Sequence, residues 1–215
     1  YAPTAISYAL IIQGGTVTLN GNSTGAAGVY ASGGTLLING NIDYSGAASL
    51  YALNAGSTIT VNGNITSNGI VGAVTWSSGA VVEINGNISN SGADTTNSVG
   101  LYYNNGGDCA LTLNGNVSST NAKAVSVTTV STAQAGLILN NSRVVTAGTN
   151  TDAASIQDAN KSCIFNNVTL IATGSGVSIS NSSSVLMYGM SQANKAIGTS
   201  VNLYVGTLII NSDVR

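Results

Sequence analysis

Hydrophobic and polar residues alternate in short runs that recur along the whole chain. The clearest runs are Thr35–Ile42, Thr58–Ile65 and Val81–Ile88, and each contains an Asn-Gly-Asn step. A period of two predicts β-strands, and the glycine after the asparagine predicts a left-handed bend that ends the strand. Nine copies follow at intervals of 19 to 29 residues, aligned on Asn20, Asn39, Asn62, Asn85, Asn114, Asn140, Asn166, Gly189 and Asn211. The repeats predict one domain over residues 1–215.

Each repeat contains three short apolar segments, so we expect three strands in every turn of the chain. The first strand carries two inward aliphatic residues, such as Leu36 and Ile38, and the second carries one, such as Ile42. Two-residue hairpins are the competing interpretation of Asn-Gly, but they give antiparallel strands and no reason for a period near 24 residues. Parallel stacking of equivalent strands explains the repetition. The sequence therefore predicts an all-β parallel solenoid of about nine coils.

The asparagine that closes each first strand has a predicted structural role. In stacked coils these side chains lie above one another, so each amide can donate to the next carbonyl and satisfy a buried polar group. The predicted ladder consists of Asn20, Asn39, Asn62, Asn85, Asn114, Asn140, Asn166 and Asn211.

Charge is scarce. The chain has five basic and seven acidic residues, and none of the basic residues precedes Lys123. This pattern argues against nucleic acid as a partner, because phosphate binding needs clustered Lys and Arg. No apolar run reaches the length of a membrane span. Cys109 and Cys163 fall two coils apart, about 9.6 Å at a strand spacing of about 4.8 Å, so we expect free thiols.

The strands of T-x-L-x-I-N-G-N-I type, with asparagine ladders and Gly-Gly or Ser-Gly openings, resemble a broad class of repeat proteins. The chain is similar to the right-handed parallel β-helices of bacterial adhesins, autotransporter passenger domains, and phage tail fibres and tailspikes. This resemblance implies a right-handed helix, an extracellular or virion-surface location and an adhesive or structural role.

Enzymatic and metal chemistry have little support in the sequence. The chain has no histidine, which excludes a histidine base or a histidine-ligated metal. Some β-helices of the resembled class cleave polysaccharides with paired carboxylates, and Asp152 and Asp158 are the only local pair here. The stretch Asn104–Asp108 is a weak, single match to a calcium-binding repeat. We predict no catalytic residue, no metal and no cofactor.

Two outward columns are the candidate functional surfaces. Tyr30, Tyr51 and Tyr102, with Trp76 one place further along its strand, form a predicted aromatic stripe suited to a glycan or a partner protein. The alternative is that the rings only stiffen the sheet.

On the first strand, the outward position becomes apolar in the last four repeats. These residues are Ile138, Ile164, Met187 and Ile209. Four stacked apolar side chains predict a self-association face, and the alternative is that residues 201–205, or a longer loop, fold over it. The leading hypothesis is a non-enzymatic extracellular rod that forms homo-oligomers or filaments. The alternative is a tailspike-like module that binds or cleaves a glycan, with the aromatic stripe as its platform and Asp152, Asp158 or Glu83 as candidate acids.

Overall fold

The computed structural model describes residues 8–46, 48–77, 79–104, 109–128, 135–157, 163–174, 177–180, 183–188, 201–203 and 206–211. Within these residues the chain contains strands and no helix. The strands form three parallel sheets, two of nine strands and one of seven. Each inner strand of a sheet pairs in parallel with its equivalents in the preceding and following repeats, and the chain is a right-handed parallel β-helix. This confirms the predicted fold.

The first seven coils each contribute one strand to every sheet, and the described residues of the last two coils contribute strands to sheets A and B. Sheet A consists of Leu10–Ile12 (β1), Val29–Ala31 (β4), Leu50–Ala52 (β7), Val74–Trp76 (β10), Leu101–Asn104 (β13), Val125–Thr128 (β16), Ala154–Gln157 (β19), Val177–Ser180 (β22) and Val201–Leu203 (β24). Sheet B consists of Thr16–Asn20 (β2), Gly34–Asn39 (β5), Ser57–Val61 (β8), Val81–Ile84 (β11), Cys109–Asn114 (β14), Ala135–Asn140 (β17), Cys163–Asn166 (β20), Ser183–Tyr188 (β23) and Gly206–Asn211 (β25). Sheet C consists of Ser23–Gly25 (β3), Ile42–Tyr44 (β6), Ile65–Ser67 (β9), Ile88–Asn90 (β12), Val117–Ser119 (β15), Arg143–Thr146 (β18) and Thr169–Ile171 (β21).

The core is a continuous column of side chains enclosed by the three sheets. The alternate aliphatic residues of sheet B point into it, and Leu36, Ile38 and Ile59 are at most 1% exposed. Sheet C contributes Ile42 and sheet A contributes Leu50, both fully buried. Because like side chains stack on like in every coil, one short pattern suffices to fill the interior.

The glycine of the Asn-Gly-Asn corner is required for a different reason from the predicted one. Gly40, Gly63, Gly86 and Gly115 do not adopt the left-handed conformation. Instead, a Cβ atom on any of them would lie 2.1 to 2.2 Å from the carbonyl oxygen of the corner glycine in the preceding coil. Backbones therefore approach so closely at this corner that only hydrogen fits.

The corner changes at the sixth coil. There the chain carries an extra residue, and Asn141 occupies the left-handed region with φ of 50°. Asn167 repeats this geometry in the next coil with φ of 53°, and its Nδ2 donates to Asn141 Oδ1 at 3.0 Å. Asparagine tolerates this conformation better than most residues, which accounts for its presence where the glycine column ends.

One of the nine predicted strand ends is wrong by a single residue. Strand β23 pairs so that Tyr188, not Gly189, stands in register with Asn166 and Asn211. Tyr188 replaces the asparagine of the other repeats and is followed directly by the glycine. The sequence pattern predicted the strand end at this glycine, because no asparagine stands at Tyr188, where the strand ends.

Candidate functional site: the outer faces of the coils

The outer stripe is the apolar part of the outward column of sheet B. Ile138 pairs in register with Ile164, and the backbone pairing continues this column through Leu186 and Ile209. We define the outer stripe as these four residues. The prediction of Met187 in this column is wrong, because the shifted strand end places Met187 in register with the core residue Phe165.

Ile138 and Ile164 are half-buried on the outside of the helix. Earlier in the same column the residues are mostly polar, with Glu83 and Thr112 in the coils that precede Ile138. Residues 201–203 do not fold over the stripe, because they form β24 and extend sheet A. The stripe is therefore a genuine change in surface chemistry along sheet B.

A second apolar pair lies on the adjacent sheet and was missed at the sequence level. Val145 and Ile171 pair in register on the outer face of sheet C, and both are half-buried. The same column carries Ser89 and Ser118 in earlier coils, so it changes from polar to apolar at the same coil as sheet B. The signal was present in the sequence, since the residue directly after the inward aliphatic of each second strand is the outward one. The outward positions of both sheets therefore become apolar at the sixth coil.

An amide ladder separates these two apolar pairs and runs along the corner. The Nδ2 atom of each asparagine donates to Oδ1 of the preceding one at 2.7 to 3.0 Å, over Asn20, Asn39, Asn62, Asn85, Asn114, Asn140 and Asn166. This confirms the predicted stacking for these seven residues. The side chains are exposed or half-buried, however, and not buried as expected. Asn211 takes the same register position, but Tyr188 stands between it and Asn166.

A second ladder follows the corner glycine and was not predicted. The backbone N–H of Asn41 donates to Asn22 Oδ1 at 2.9 Å, and the same bond recurs one coil later from Asn64 to Asn41. It continues to Arg143, whose N–H donates to Asn116 Oδ1 at 2.9 Å. Both asparagines of the Asn-Gly-Asn step therefore bind the neighbouring coil, which explains the motif without any catalytic role.

The predicted aromatic stripe is only partly present. Tyr30, Tyr51 and Tyr102 share the outward column of sheet A, where Thr75 is the intervening residue. Trp76 was predicted to join them, but it is in register with Ala52, fully buried, and packs edge-on against Tyr103 at a centroid distance of 5.6 Å. One step along a strand reverses the side-chain direction, so Trp76 belongs to the core.

The N-terminal part of the described chain covers a further portion of this stripe. The ring of Tyr8 lies 4.7 Å from that of Tyr30 and 5.6 Å from that of Tyr51, centroid to centroid. Tyr51 is only 9% exposed. Burial, with a smaller contribution from the nearby Tyr8, raises the pKa of Tyr51 to about 12. Tyr30 and Tyr102 remain half-buried.

The candidate acids do not form a cluster in the described residues. Glu83 is exposed on sheet B and Asp152 is half-buried in a loop after the sixth coil. Asp158 and residues 105–108 lie outside the described residues. Across the ranges that the structure covers, no three Cys, Asp or Glu side chains approach one another closely enough to hold a metal.

The cysteines occupy alternate strands of sheet B. Cys163 is buried in β20, and Cys109 lies in β14, with β17 between the two strands. Where the chain is described, no helix has the length and hydropathy to cross a membrane. No protein-family model matches the chain, and comparisons with curated proteins and with solved structures give no match.

Proposed function

We propose that this protein is a non-enzymatic structural rod that associates with copies of itself, as a module of an extracellular fibre, cell-surface adhesin or virion appendage. The observation that carries the proposal is a set of two outward apolar pairs, Ile138 and Ile164 on sheet B and Val145 and Ile171 on sheet C. Both pairs begin at the sixth coil, on a chain in which only 6% of the residues are charged. Apolar patches of this kind on soluble proteins mark interaction surfaces.

The size of the patch indicates the strength of the association. At most about a third of each of the four side chains is exposed. Full burial of one aliphatic side chain contributes about 1.5 to 3 kcal/mol, so covering the part that is still exposed contributes at most roughly 1 kcal/mol per residue. Two copies would gain at most about 8 kcal/mol, which does not clearly exceed the cost of about 4 to 15 kcal/mol for bringing two molecules together. The patch alone therefore supports weak, concentration-dependent association, and repeated contacts along a fibre would strengthen it.

The low charge of the chain supports the same proposal. Seven acidic and five basic residues are spread over 215 residues, so copies of the chain repel one another weakly at any ionic strength. A surface that depends on amide ladders and apolar contacts is also insensitive to pH across the physiological range. These properties suit a fibre component exposed to changing surroundings.

The test is the oligomeric state of the parent chain and of Ile164→Lys. Light scattering and negative-stain microscopy over a range of concentrations should show multimers or filaments for the parent chain. Ile164→Lys places a charge in the middle of the apolar surface and should shift the distribution to monomers. The matched control is Thr60→Lys, which lies in the same outward column three coils before Ile138, between Leu37 and Glu83, and should assemble like the parent. Normal assembly of Ile164→Lys would contradict the proposed face.

A second candidate function is glycan binding, supported by the stacked Tyr8 and Tyr30 rings on the outside of sheet A. Half-exposed aromatic rings offer flat apolar faces to sugars. Under this alternative, a glycan array should give a signal that Tyr30→Ala and Tyr102→Ala each abolish, while assembly is unchanged. Loss of assembly with an empty array would favour the structural rod.

A further inference from the structure

We propose that Tyr8 and Tyr30 form a site of oxidative cross-linking, at which a diffusible one-electron oxidant joins the two rings by a carbon–carbon bond. The bond would tie the segment before β1 to β4 in the second coil. The cross-link requires neither self-association nor a glycan, so it goes beyond the proposed function.

The fold brings the two rings together before any chemistry occurs. Tyr30 is the middle residue of β4 and points outward from sheet A. Tyr8 lies before β1, where the N–H of the next residue, Ala9, donates to Gly28 O at 3.0 Å. The ring centroids are 4.7 Å apart and the ring planes are inclined by 33°. Centroids at this distance place the rings in direct contact, so a small slip brings an ortho carbon of one ring against an ortho carbon of the other.

The two residues differ in how firmly the backbone holds them. Tyr30 is in register with Ile11 and Tyr51 on the strands at either side of it. Tyr8 lies outside the strands, and its half-buried ring rests against the outer face of the sheet. Tyr8 can therefore make the slip that coupling needs, and the stacked coils do not have to move.

The coupling removes two electrons and two protons from the pair of rings. Each phenol gives one electron to the oxidant and its hydroxyl proton to water, which leaves a phenoxyl radical with spin density on the ortho carbons. The two unpaired electrons then form a bond between one ortho carbon of each ring. The hydrogen on each of these carbons moves through water to the phenoxyl oxygen, which restores both aromatic rings. The product, dityrosine, contains two hydrogen atoms fewer than the two separate side chains.

Three other tyrosines whose side chains are described are poorer partners. Tyr44 and Tyr103 are at most 2% exposed, so their hydroxyl protons have little access to water. Tyr102 is half-buried, but none of the ring contacts among the described side chains includes it. Coupling of Tyr102 would therefore need a second molecule.

Tyr51 is the competing partner for Tyr8. The centroids of these two rings are 5.6 Å apart, and their planes are inclined by 79°. Tyr51 is also only 9% exposed, whereas Tyr30 is half-buried. Distance, ring orientation and access of the hydroxyl proton to water therefore all favour Tyr30 as the partner.

The bond would change the behaviour of the first coil. It closes residues 8–30, which contain β1, β2 and β3, into a covalent loop. Because a cross-link restricts the unfolded chain, the linked coil should open less often and resist proteolysis better than the unlinked one. Oxidising surroundings would thus strengthen this coil.

The test is photo-oxidation of the folded chain with tris(bipyridyl)ruthenium(II) and persulfate. Light and persulfate generate ruthenium(III), a small one-electron oxidant, and the electrons end on sulfate. Dityrosine is measured by its blue fluorescence. The link is located by unfolding the product, digesting it with thermolysin and analysing the peptides by mass spectrometry. We expect a peptide with Tyr8 joined to a peptide with Tyr30, with the loss of two hydrogen atoms, from a chain that still runs as a monomer.

Phenylalanine variants keep the ring packing and remove the phenol. Tyr8→Phe and Tyr30→Phe should each lower the yield of dityrosine by about tenfold or more, because the remaining tyrosine loses the partner that the fold holds beside it. Tyr102→Phe is the matched control in the same outward column and should give the parent yield. Tyr51→Phe should also leave the yield unchanged. Circular dichroism confirms that each variant is folded.

Three outcomes would overturn the site. Loss of the product in Tyr51→Phe but not in Tyr30→Phe would assign the link to Tyr51. A yield that falls on dilution, with the product at the size of a dimer, would show coupling between copies, which supports self-association but not this site. Equal yields from the folded chain and from the chain unfolded in urea would show that the fold does not position the pair. A yield per chain that is independent of protein concentration and is lost in urea supports the proposal.

Discussion

Replacement of Gly63 by alanine tests the physical reason for the repeated Asn-Gly-Asn step. The added Cβ would lie 2.1 Å from Gly40 O and 2.5 Å from Gly40 C, both backbone atoms of the preceding coil. Ordinary contact needs about 3.5 Å, so the two coils would have to separate by more than about 1 Å at this corner. No flexible side chain is available to absorb the clash.

The magnitude follows from the bonds that such a separation would break. Asn62 N–H donates to Ile38 O at 2.8 Å and Asn64 N–H donates to Asn41 Oδ1 at 2.9 Å, on either side of Gly63. Loss of each bond costs about 0.5 to 1.5 kcal/mol, and overpacking adds about 1 to 3 kcal/mol. We expect Gly63→Ala to lower the free energy of unfolding by roughly 2 to 6 kcal/mol.

The assay is urea unfolding followed by circular dichroism, with Gly14→Ala as the matched control. A Cβ at Gly14 meets nothing within 4 Å, and its backbone is not left-handed. This exposed substitution should change stability by less than about 1 kcal/mol, and a slight gain is expected from reduced freedom of the unfolded chain. Equal unfolding midpoints for the two variants would refute the view that backbone contact limits the corner.

Three further predictions concern the ladder, the core and the tyrosine cluster. Asn85 both donates and accepts a side-chain hydrogen bond within the ladder, so Asn85→Ala should lower the free energy of unfolding, measured in urea, by about 1 to 2 kcal/mol. Asn20→Ala breaks a single described side-chain hydrogen bond and should lower it by less than about 1 kcal/mol. Trp76 is the only tryptophan and is fully buried, so iodide should quench its fluorescence only after unfolding. Strong quenching of the folded chain would contradict its core position. Trp76→Ala should lower the free energy of unfolding by about 3 to 5 kcal/mol. Because the pKa of Tyr51 is raised from 10.0 to about 12, the unfolded chain ionises first, so stability should be unaffected below pH 10 and decrease by up to roughly 2 to 3 kcal/mol between pH 10 and 12. Tyr51→Phe should lack this decrease, and an absorbance titration that places Tyr51 near pH 10 would contradict the burial.

The parallel β-helix was predictable from the sequence because it requires only local information repeated many times. Alternation in a segment such as Thr58–Val61 sets the strand and its inner face, and the recurring asparagine sets the stacking of one coil on the next. Equivalent strands pair with each other, so no long-range pairing had to be found. The amide ladder followed from the same argument, although its exposure did not, since sequence spacing does not show how far a corner projects into solvent.

The tertiary structure alone decided the exact register of irregular strands and the direction of the side chains within them. Tyr188 replaces the asparagine that marks the strand end, and the resulting shift exchanges Met187 for Leu186 in the outer stripe. Trp76 lies one place beyond Thr75, and that one step turns it from the outside to the core.

The sequence by itself determined the repeat and the inner and outer faces of the regular strands, because these depend on residues close together in the chain. The tertiary structure decided which outward residues remain accessible. Tyr8 covers Tyr51, while Ile138 and Val145 lie on the outer faces of adjacent sheets in the same coil. Accessibility depends on what lies beside a residue in space, and residues far apart in the chain supply that environment.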